Sequence, residues 1–121
     1  MSKKVLVVED TEDNRQILRD LLGMAGYQLV EAHDGAEGVA KATEHKPDLI
    51  LMDIQMPVMD GYEATRRIKA DPALKEIPVI AVTSYALSGD EEKARAAGCD
   101  GYIAKPFSPR QMLAKVREVI G

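Results

Sequence analysis

The chain has 121 residues, of which 45% are apolar and 30% charged, and a formal net charge of −4. This composition is ordinary for one soluble domain with a single core, and its acidity argues against nucleic acid or an anionic membrane as a direct partner, since both require a clustered basic face. The longest apolar stretch is far too short to span a membrane and the N-terminus lacks the apolar segment of a signal peptide, so we expect a cytoplasmic protein without membrane insertion.

The first half of the chain alternates apolar strands with helical patterns. Residues 5–8 are continuously apolar and β-branched, as in a central parallel strand covered on both faces. A helix that stops at Gly26 follows, and its apolar positions are Ile17, Leu18, Leu21, Leu22 and Ala25. Residues 27–32 mix polar with apolar, which favours an edge strand, and residues 49–52 form a second continuous apolar strand. Between them lies a weaker helical stripe of Ala36, Val39, Ala40 and Thr43.

Capping-box sequences predict the starts of the three remaining helices, at residues 60–63, 88–91 and 108–111. The apolar residues 79–82 predict a fourth strand, and the short segment 101–104 predicts a fifth at the other edge of the sheet. The last helix is expected to bury Met112, Leu113, Val116, Val119 and Ile120.

Five strands alternating with five helices through short loops predict a doubly wound α/β domain with a parallel sheet. Right-handed crossovers would place helices on both faces of that sheet. The sequence contains no internal repeat or linker and ends one residue after the last helical pattern, so we expect residues 1–121 to form a single domain with no second domain attached.

The single cysteine and the two histidines indicate no metal site. Cys99 has no partner for an intramolecular disulfide and no metal-ligand spacing, so we predict that it packs as a small apolar side chain. His33 and His45 lie far apart in polar surroundings, and both are predicted at the surface.

Polar residues that carry chemistry fall where the predicted strands end. Glu9 and Asp10 follow the first strand, Asp53 the third, Thr83 the fourth and Lys105 the fifth. In a parallel sheet these ends share one edge, and neighbouring first and third strands would create the crevice in which open α/β sheets bind ligands. We therefore expect these side chains to converge.

The contents of that crevice favour phosphoryl transfer. Three carboxylates at close range repel one another unless a cation intervenes, and hard oxygen ligands suit Mg²⁺. Lys105 offers a positive charge for a phosphate oxygen and Thr83 a hydroxyl donor. A metal, a lysine, a hydroxyl and a free carboxylate are the groups needed to transfer a phosphoryl group onto an acyl oxygen.

Each of these residues alone also has an ordinary structural explanation. The acids could form a solvated loop that caps the first helix, Thr83 could bond to the backbone, Lys105 could lie at the surface and Asp53 could cap the loop after it. Their joint placement at strand ends, in this order, favours the site.

The whole pattern resembles the receiver domain of two-component response regulators over essentially the entire chain. The matching motifs are Glu9-Asp10, Asp53, Met56-Pro57, Asp60-Gly61, Thr83, Tyr102 and Lys105-Pro106-Phe107. The resemblance implies a flavodoxin-like sheet with strand order 2-1-3-4-5.

The resemblance also implies roles for the site residues. Asp53 would accept a phosphoryl group from a histidine of a kinase or a histidine phosphotransfer protein. Asp10 and Asp53 would bind Mg²⁺ together with the backbone carbonyl of Gln55, while Glu9 would act through water. Lys105 would be the counter-ion of the phosphate.

Further implications concern the switch itself. Lys105-Pro106 would form a cis peptide, and Thr83 with Tyr102 would be the switch pair that remodels a face for a downstream protein target. The chain would catalyse only its own aspartate phosphorylation and slow autodephosphorylation, and otherwise would not be an enzyme. Gln55 and Tyr85 occupy positions that tune dephosphorylation in the family, which leaves the lifetime of the phosphate open.

Other classes fit the residues less well. A haloacid-dehalogenase-type phosphatase needs a second Asp two residues after the first, where Gln55 stands, and a flavodoxin-like cofactor binder needs a Ser/Thr- and Gly-rich loop where residues 9–13 are acidic. A receiver-fold binding module that acts without phosphorylation is the remaining alternative. Five basic residues could dock a partner helix or form a solvated helix face; they are Arg15, Arg19, Arg66, Arg67 and Lys69.

Overall fold

The computed structural model describes residues 3–54, 61–83, 90–104 and 107–120. Within them, strands and helices alternate strictly along the chain. The strands are β1 (Lys4–Val8), β2 (Gln28–Ala32), β3 (Leu49–Asp53), β4 (Val79–Thr83) and β5 (Gly101–Ala104). The helices are α1 (Glu12–Met24), α2 (Gly35–His45), α3 (Gly61–Ala70), α4 (Asp90–Ala97) and α5 (Pro109–Ile120).

The strands form one parallel sheet in the order β2-β1-β3-β4-β5. This confirms the predicted doubly wound fold, with β2 and β5 at the edges and the three continuously apolar strands at the centre. In the register of the central pair, Val8 lies opposite Met52. Because β1 ends only one residue before β3 in this register, the residues that follow Val8 come out beside the end of β3.

Strand alternation divides the core into two layers, one on each face of the sheet. The residues of α1 and α5 that pack on one face are Leu18, Leu22, Met112 and Val116. Those of α2, α3 and α4 that pack on the other face are Ala42, Ala64, Ile68 and Ala94. The expectation of helices on both faces is therefore confirmed.

The predicted capping box of the last helix is present. The Gln111 backbone N–H donates to Ser108 Oγ at 3.1 Å, and the Ser108 N–H donates to Gln111 Oε1 at 2.7 Å. Of the five residues expected to be buried, Met112 and Val116 are buried and the others are half-buried. The other two predicted capping boxes begin at residues 60 and 88, which lie outside the described residues.

The apolar stripe predicted for α2 was right at Val39, which is half-buried against the core, and wrong at Ala36, Ala40 and Thr43, which are exposed. The residues buried against the sheet are Gly35, Gly38 and Ala42, and a Cβ atom on Gly38 would lie 2.9 Å from Val8 Cγ2. Since the absence of side chains lets α2 approach β1 this closely, glycines make the contact. A hydrophobicity pattern does not register glycine as a packing residue.

The stripe predicted for α1 contains a second exception. Leu18 and Leu22 are buried as expected, but Ile17 is 57% exposed and lies on the face of α1 that continues to Leu21 and Met24. The three are spaced i, i+4 and i+7, so they form one apolar row along the helix surface. Met24, at the end of this row, is 89% exposed.

The cysteine prediction is confirmed and the histidine prediction holds for one residue. Cys99 is buried in the core, its Sγ lies 3.8 Å from Thr65 Oγ1, and burial raises the pKa of its thiol. His33 is exposed, whereas His45 is half-buried.

The amino edge of the sheet is joined by one charged pair. Asp100 Oδ2 accepts hydrogen bonds from Lys69 Nζ at 2.8 Å and from the Val79 N–H at 2.9 Å. Lys69 Nζ also donates to the carbonyls of Lys75 and Ile77, at 3.1 and 2.8 Å. The end of α3, the start of β4 and the start of β5 are thereby tied together.

The same edge contains a left-handed residue. Lys46 ends α2 at φ 45° and ψ 64°, and its N–H donates to the Ala42 carbonyl at 2.9 Å. This conformation closes a helix well but favours glycine.

None of the helices in the described parts of the chain combines the length and apolar character needed to cross a bilayer.

Candidate functional site

Three carboxylates from the ends of β1 and β3 meet at the carboxyl edge of the sheet. One carboxylate oxygen from each of Glu9, Asp10 and Asp53 lies within 4.8 Å of the others. Asp53 is the last residue of β3 and is only 5% exposed, Glu9 is 3% exposed, and Asp10 is exposed. The predicted convergence of these acids therefore occurs, because the topology places β1 next to β3.

The chemistry of this cluster suits a hard divalent cation. All three potential ligands are carboxylate oxygens, which Mg²⁺ prefers, and the cluster includes no imidazole or thiolate. Like charges this close destabilise one another unless a cation shares them. The donor set thus fits the expected metal.

Glu9 is hydrogen-bonded through its backbone and its side chain. Its N–H donates to the Ala32 carbonyl at 2.9 Å, its carbonyl accepts from Arg15 Nη1 at 2.7 Å, and its Oε1 accepts from Asn14 Nδ2 at 2.7 Å. Sequence reasoning gave Asn14 no role. The available signal was its position one turn before the buried Leu18, which places Asn14 on the side of α1 that faces the sheet.

Four charged side chains form a network beside the cluster, between α1 and β2. Arg15 pairs with Glu12 at 2.5 Å and with Glu31 at 3.5 Å, and Arg19 pairs with the same two acids at 3.2 and 2.8 Å. Hydrogen bonds from Arg15 and then Arg19 lower the pKa of the Glu12 carboxyl, and the hydrogen bond to Glu31 raises the pKa of Arg19. The basic residues of α1 are therefore engaged within the chain itself.

The basic residues of α3 are engaged in the same way. Arg66 and Arg67 each pair with Glu63 at 3.3 Å, and Lys69 pairs with Asp100. The interpretation as a solvated helix face therefore fits Arg66 and Arg67, which are exposed, whereas Lys69, like Arg15 of α1, is mostly buried.

A cavity of about 260 Å³ opens beside Asp53, between the sheet and α1. The polar residues in its wall are Glu9, Asn14 and Asp53. The apolar residues in its wall are Val7, Val8, Ile17, Leu18, Leu51, Val82 and Phe107. The acidic cluster is thus reached from the side on which Ile17 is exposed.

Thr83 and Tyr102 lie on the opposite face from that cavity. Asp53 pairs with Val82 and Tyr102 with Ala81 in the strand register, so alternation puts Thr83 and Tyr102 on the face covered by α2, α3 and α4. Thr83 is buried at the last position of β4, and Tyr102 is half-buried against that layer of the core. The two predicted switch residues therefore share one side of the sheet.

Gly61 brings the start of α3 against the end of β3. Its N–H donates to the Ile54 carbonyl at 3.1 Å, and a Cβ atom at this position would collide with the Asp53 carbonyl oxygen. Any side chain here would displace the backbone of Asp53. The glycine of the Asp60-Gly61 motif is thus explained by its close packing against the end of β3.

Several predicted site residues lie outside the described residues. They are Gln55, Lys105 and Pro106. Tyr85, which with Gln55 is expected to tune dephosphorylation, also lies outside them. Their predicted roles stay predictions.

The fold, the strand order and the acidic cleft together define a class of signalling protein. The family model of the response regulator receiver domain matches residues 5–117, and the chain belongs to that family. It is therefore a signalling protein of the two-component type, in which phosphorylation controls activity.

Particular relatives share most of their length with this chain. Proteins named polar-differentiation response regulator DivK, from Brucella anthropi and Brucella abortus, are 46% identical to it over 121 residues, which cover 100% of the chain and 98% of each relative.

Solved structures agree closely in fold. The chemotaxis protein CheY4 of Vibrio cholerae superposes with a TM-score of 0.93 at 33% identity, over 98% of this chain and 99% of that one. The receiver domain of the sensor histidine kinase PA1611 of Pseudomonas aeruginosa, described with a magnesium ion coordinated in its active site cleft, gives 0.93 at 37% identity, over 100% and 99%.

Proposed function

We propose that this protein is a phosphorylation-dependent switch in which Asp53 accepts a phosphoryl group from a histidine of a kinase or a histidine phosphotransfer protein. The observation that carries the proposal is the meeting of Glu9, Asp10 and Asp53 within 4.8 Å at the carboxyl edge of the sheet. Asp53 is the one of the three that belongs to a central strand, since it ends β3. Its backbone is therefore held in the sheet by pairing with Val82 of β4.

The same three acids are the proposed site of Mg²⁺. Asp10 and Asp53 would hold the ion directly together with the Gln55 carbonyl, with Glu9 acting through water. Bound there, Mg²⁺ would neutralise the carboxylates and hold oxygens of an incoming phosphoryl group. The magnesium described in the cleft of the PA1611 receiver supports this assignment.

The transfer itself requires little covalent chemistry from the chain. A carboxylate oxygen of Asp53 forms a bond to phosphorus as the bond from phosphorus to the imidazole nitrogen of the donor breaks, and the imidazole leaves. Burial of Asp53 limits the access of water to the resulting acyl phosphate. In this proposal Lys105 provides the counter-ion to the phosphate, and the chain has no catalytic activity beyond its own phosphorylation and slow autodephosphorylation.

The proposed output depends on Thr83 and Tyr102. Thr83 ends β4, the strand next to Asp53, and Tyr102 lies on the same face of the sheet in the following strand. Movement of the Thr83 hydroxyl to the phosphate would let the ring of Tyr102 turn inward and would change the surface made by α4 and β5. A downstream protein would then be recruited, to an extent set by its preference for the changed surface.

The proposed domain extent is residues 1–121, and the family match over 5–117 supports it.

Labelling by a small phosphodonor tests the proposal. With acetyl phosphate and Mg²⁺, we expect one phosphoryl group per wild-type chain and none on Asp53→Asn, because the amide is not a nucleophile toward phosphorus. Asp20→Asn is the control, since it makes the same chemical change at an exposed position of α1. Equal labelling of wild type and Asp53→Asn would refute the phosphoacceptor assignment, and absent labelling of the wild type would favour the alternative, a binding module that acts without phosphorylation.

The apolar row on α1 is the proposed contact for the phosphodonor protein. Ile17 is both exposed and part of the wall of the cavity that leads to Asp53. A protein that brings a phosphohistidine to Asp53 from this side must cover Ile17, and Leu21 and Met24 extend the apolar surface away from the site. Burial of such exposed apolar side chains is a common source of binding free energy at interfaces.

A charge placed on this row should separate docking from chemistry. We expect Ile17→Asp to slow transfer from a histidine phosphotransfer protein that phosphorylates the wild type by about tenfold or more. Labelling by acetyl phosphate should fall much less, since a small donor needs no docking surface. Gln16→Asp, one residue away and exposed, should transfer at nearly the wild-type rate; if it slowed as much as Ile17→Asp, the row would not be the contact.

A further inference from the structure

We propose that Asn14 is a positioning residue for the divalent-cation site, acting by holding the carboxylate of Glu9. This inference rests on the Mg²⁺ site of the proposed function and assigns to α1 a part in building that site. It is carried by the hydrogen bond of 2.7 Å from Asn14 Nδ2 to Glu9 Oε1.

The backbone of Glu9 is already fixed without Asn14. Its N–H is bonded to the Ala32 carbonyl of β2 and its carbonyl to the guanidinium of Arg15, at 2.9 and 2.7 Å. What these two bonds leave adjustable is the direction of the carboxylate, which is set by the side-chain torsions. The amide of Asn14 fixes that direction, and it belongs to a helix whose inner face is anchored by Leu18 and Leu22.

The chemical type of the side chain at position 14 also matters. Glu9 is buried and lies within 4.8 Å of two other carboxylates. A lysine or arginine reaching Glu9 Oε1 would cancel part of the negative charge that attracts a cation, whereas a neutral amide fixes the carboxylate and leaves its charge in place. Asn14 therefore orients a ligand group without competing with the ion.

Groups that orient metal ligands in this way strongly affect metal affinity. Their loss typically weakens binding by about 10- to 100-fold. We expect Asn14→Leu, which has the same branching at Cγ but no donor, to raise the dissociation constant for Mg²⁺ by about tenfold. The matched control is Gln16→Leu, which removes an exposed amide from the same helix and should bind Mg²⁺ as the wild type does.

A double-mutant cycle separates positioning from a general structural role. If Asn14 acts through Glu9, then Asn14→Leu should change Mg²⁺ affinity by less than about twofold when made in the Glu9→Gln background, since interacting residues are not additive. The measurements are calorimetric titration with MgCl₂ and thermal unfolding in EDTA. Asn14→Ala provides a second, smaller replacement should the leucine variant fold poorly.

The outcomes distinguish this inference from the function on which it rests. A wild type that binds no Mg²⁺ would overturn the proposed metal site together with the role of Asn14. A wild type that binds Mg²⁺, with Asn14→Leu and Asn14→Ala binding equally well, would overturn the positioning role alone. An equal loss of affinity in the wild-type and Glu9→Gln backgrounds would also overturn it, because Asn14 would then act independently of Glu9.

Discussion

The amino edge of the sheet pairs opposite charges, whereas the carboxyl edge brings like charges together. At the amino edge, Lys69 and Asp100 satisfy each other and three backbone groups. At the carboxyl edge, three carboxylates of the same sign lie within 4.8 Å, and two of them are buried. The first arrangement holds secondary-structure elements together, whereas like charges as close as those of the second repel one another, and a bound cation relieves that repulsion.

This difference indicates which edge is built for stability and which for function. Natural proteins place like charges close together mainly at functional sites, where the repulsion between them favours binding of a ligand of opposite charge. A cation should therefore stabilise the carboxyl edge, and mutations at the amino edge should alter stability without altering ligand binding.

The largest expected effect is that of Mg²⁺ on the wild type. At a free concentration about a hundredfold above the dissociation constant, a ligand that binds only the folded state stabilises it by about 2.7 kcal/mol. We expect Mg²⁺ to raise the free energy of unfolding of the wild type by that amount, as measured by thermal unfolding. The increase should be absent in Asp10→Asn.

In EDTA the order of these two proteins should reverse. Asp10→Asn removes one of three like charges, so it should unfold at a higher temperature than the wild type when no divalent ion is present. Asp20→Asn, at an exposed position, should respond to Mg²⁺ as the wild type does. A wild type whose stability is unchanged by Mg²⁺ would contradict the contrast between the two edges.

The next largest effect is expected at the amino edge. Asp100→Ala leaves the buried N–H of Val79 without that acceptor and should lower the free energy of unfolding by about 2 kcal/mol. Asp100→Asn keeps an oxygen acceptor and removes only the charge, so it should cost less. Urea denaturation measures both, and neither should change Mg²⁺ affinity; a weaker ion affinity in either variant would show that the two edges are coupled.

The smallest effect concerns the left-handed residue at the end of α2. Lys46→Gly relieves backbone strain but adds freedom to the unfolded chain, and we expect a net gain of about 0.5 kcal/mol in the free energy of unfolding. Lys41→Gly, within α2, should instead cost about 1 kcal/mol because helical backbone disfavours glycine. If urea denaturation showed the same change in the free energy of unfolding for both substitutions, the effect of Lys46→Gly would not come from its left-handed backbone.

The sequence was most informative where apolar runs and polar strand ends coincide. The strands around Leu6, Ile50 and Ile80 are buried on both faces, so their composition alone indicates central parallel strands. The acids at their ends could be expected to converge because parallel topology leaves no other edge for them. Even the capping box of Ser108 and Gln111 could be anticipated, since its partners are close in sequence.

Packing that depends on small or polar side chains could not be anticipated in the same way. Gly38 contacts Val8 because it lacks a side chain, and no hydrophobic pattern records that. Ile17 is as apolar as a core residue but is 57% exposed at the mouth of the cavity beside Asp53. The helical spacing from Leu18 places Asn14 on the inner side of α1, but its contact with Glu9 forms only when β1 and α1 are folded together.

The contact of Gly61 with the end of β3 bears on how this chain can diverge. The Gly61 N–H donates to the Ile54 carbonyl, so Ile54 and Gly61 are joined to each other directly. We expect substitutions at Gln55, the position between them that the resemblance links to dephosphorylation, to adjust reaction rates while the end of β3 that carries Asp53 stays in place. Descendants of such a sequence are thus free to retune the timing of their signal without redesigning the scaffold, provided the glycine is retained.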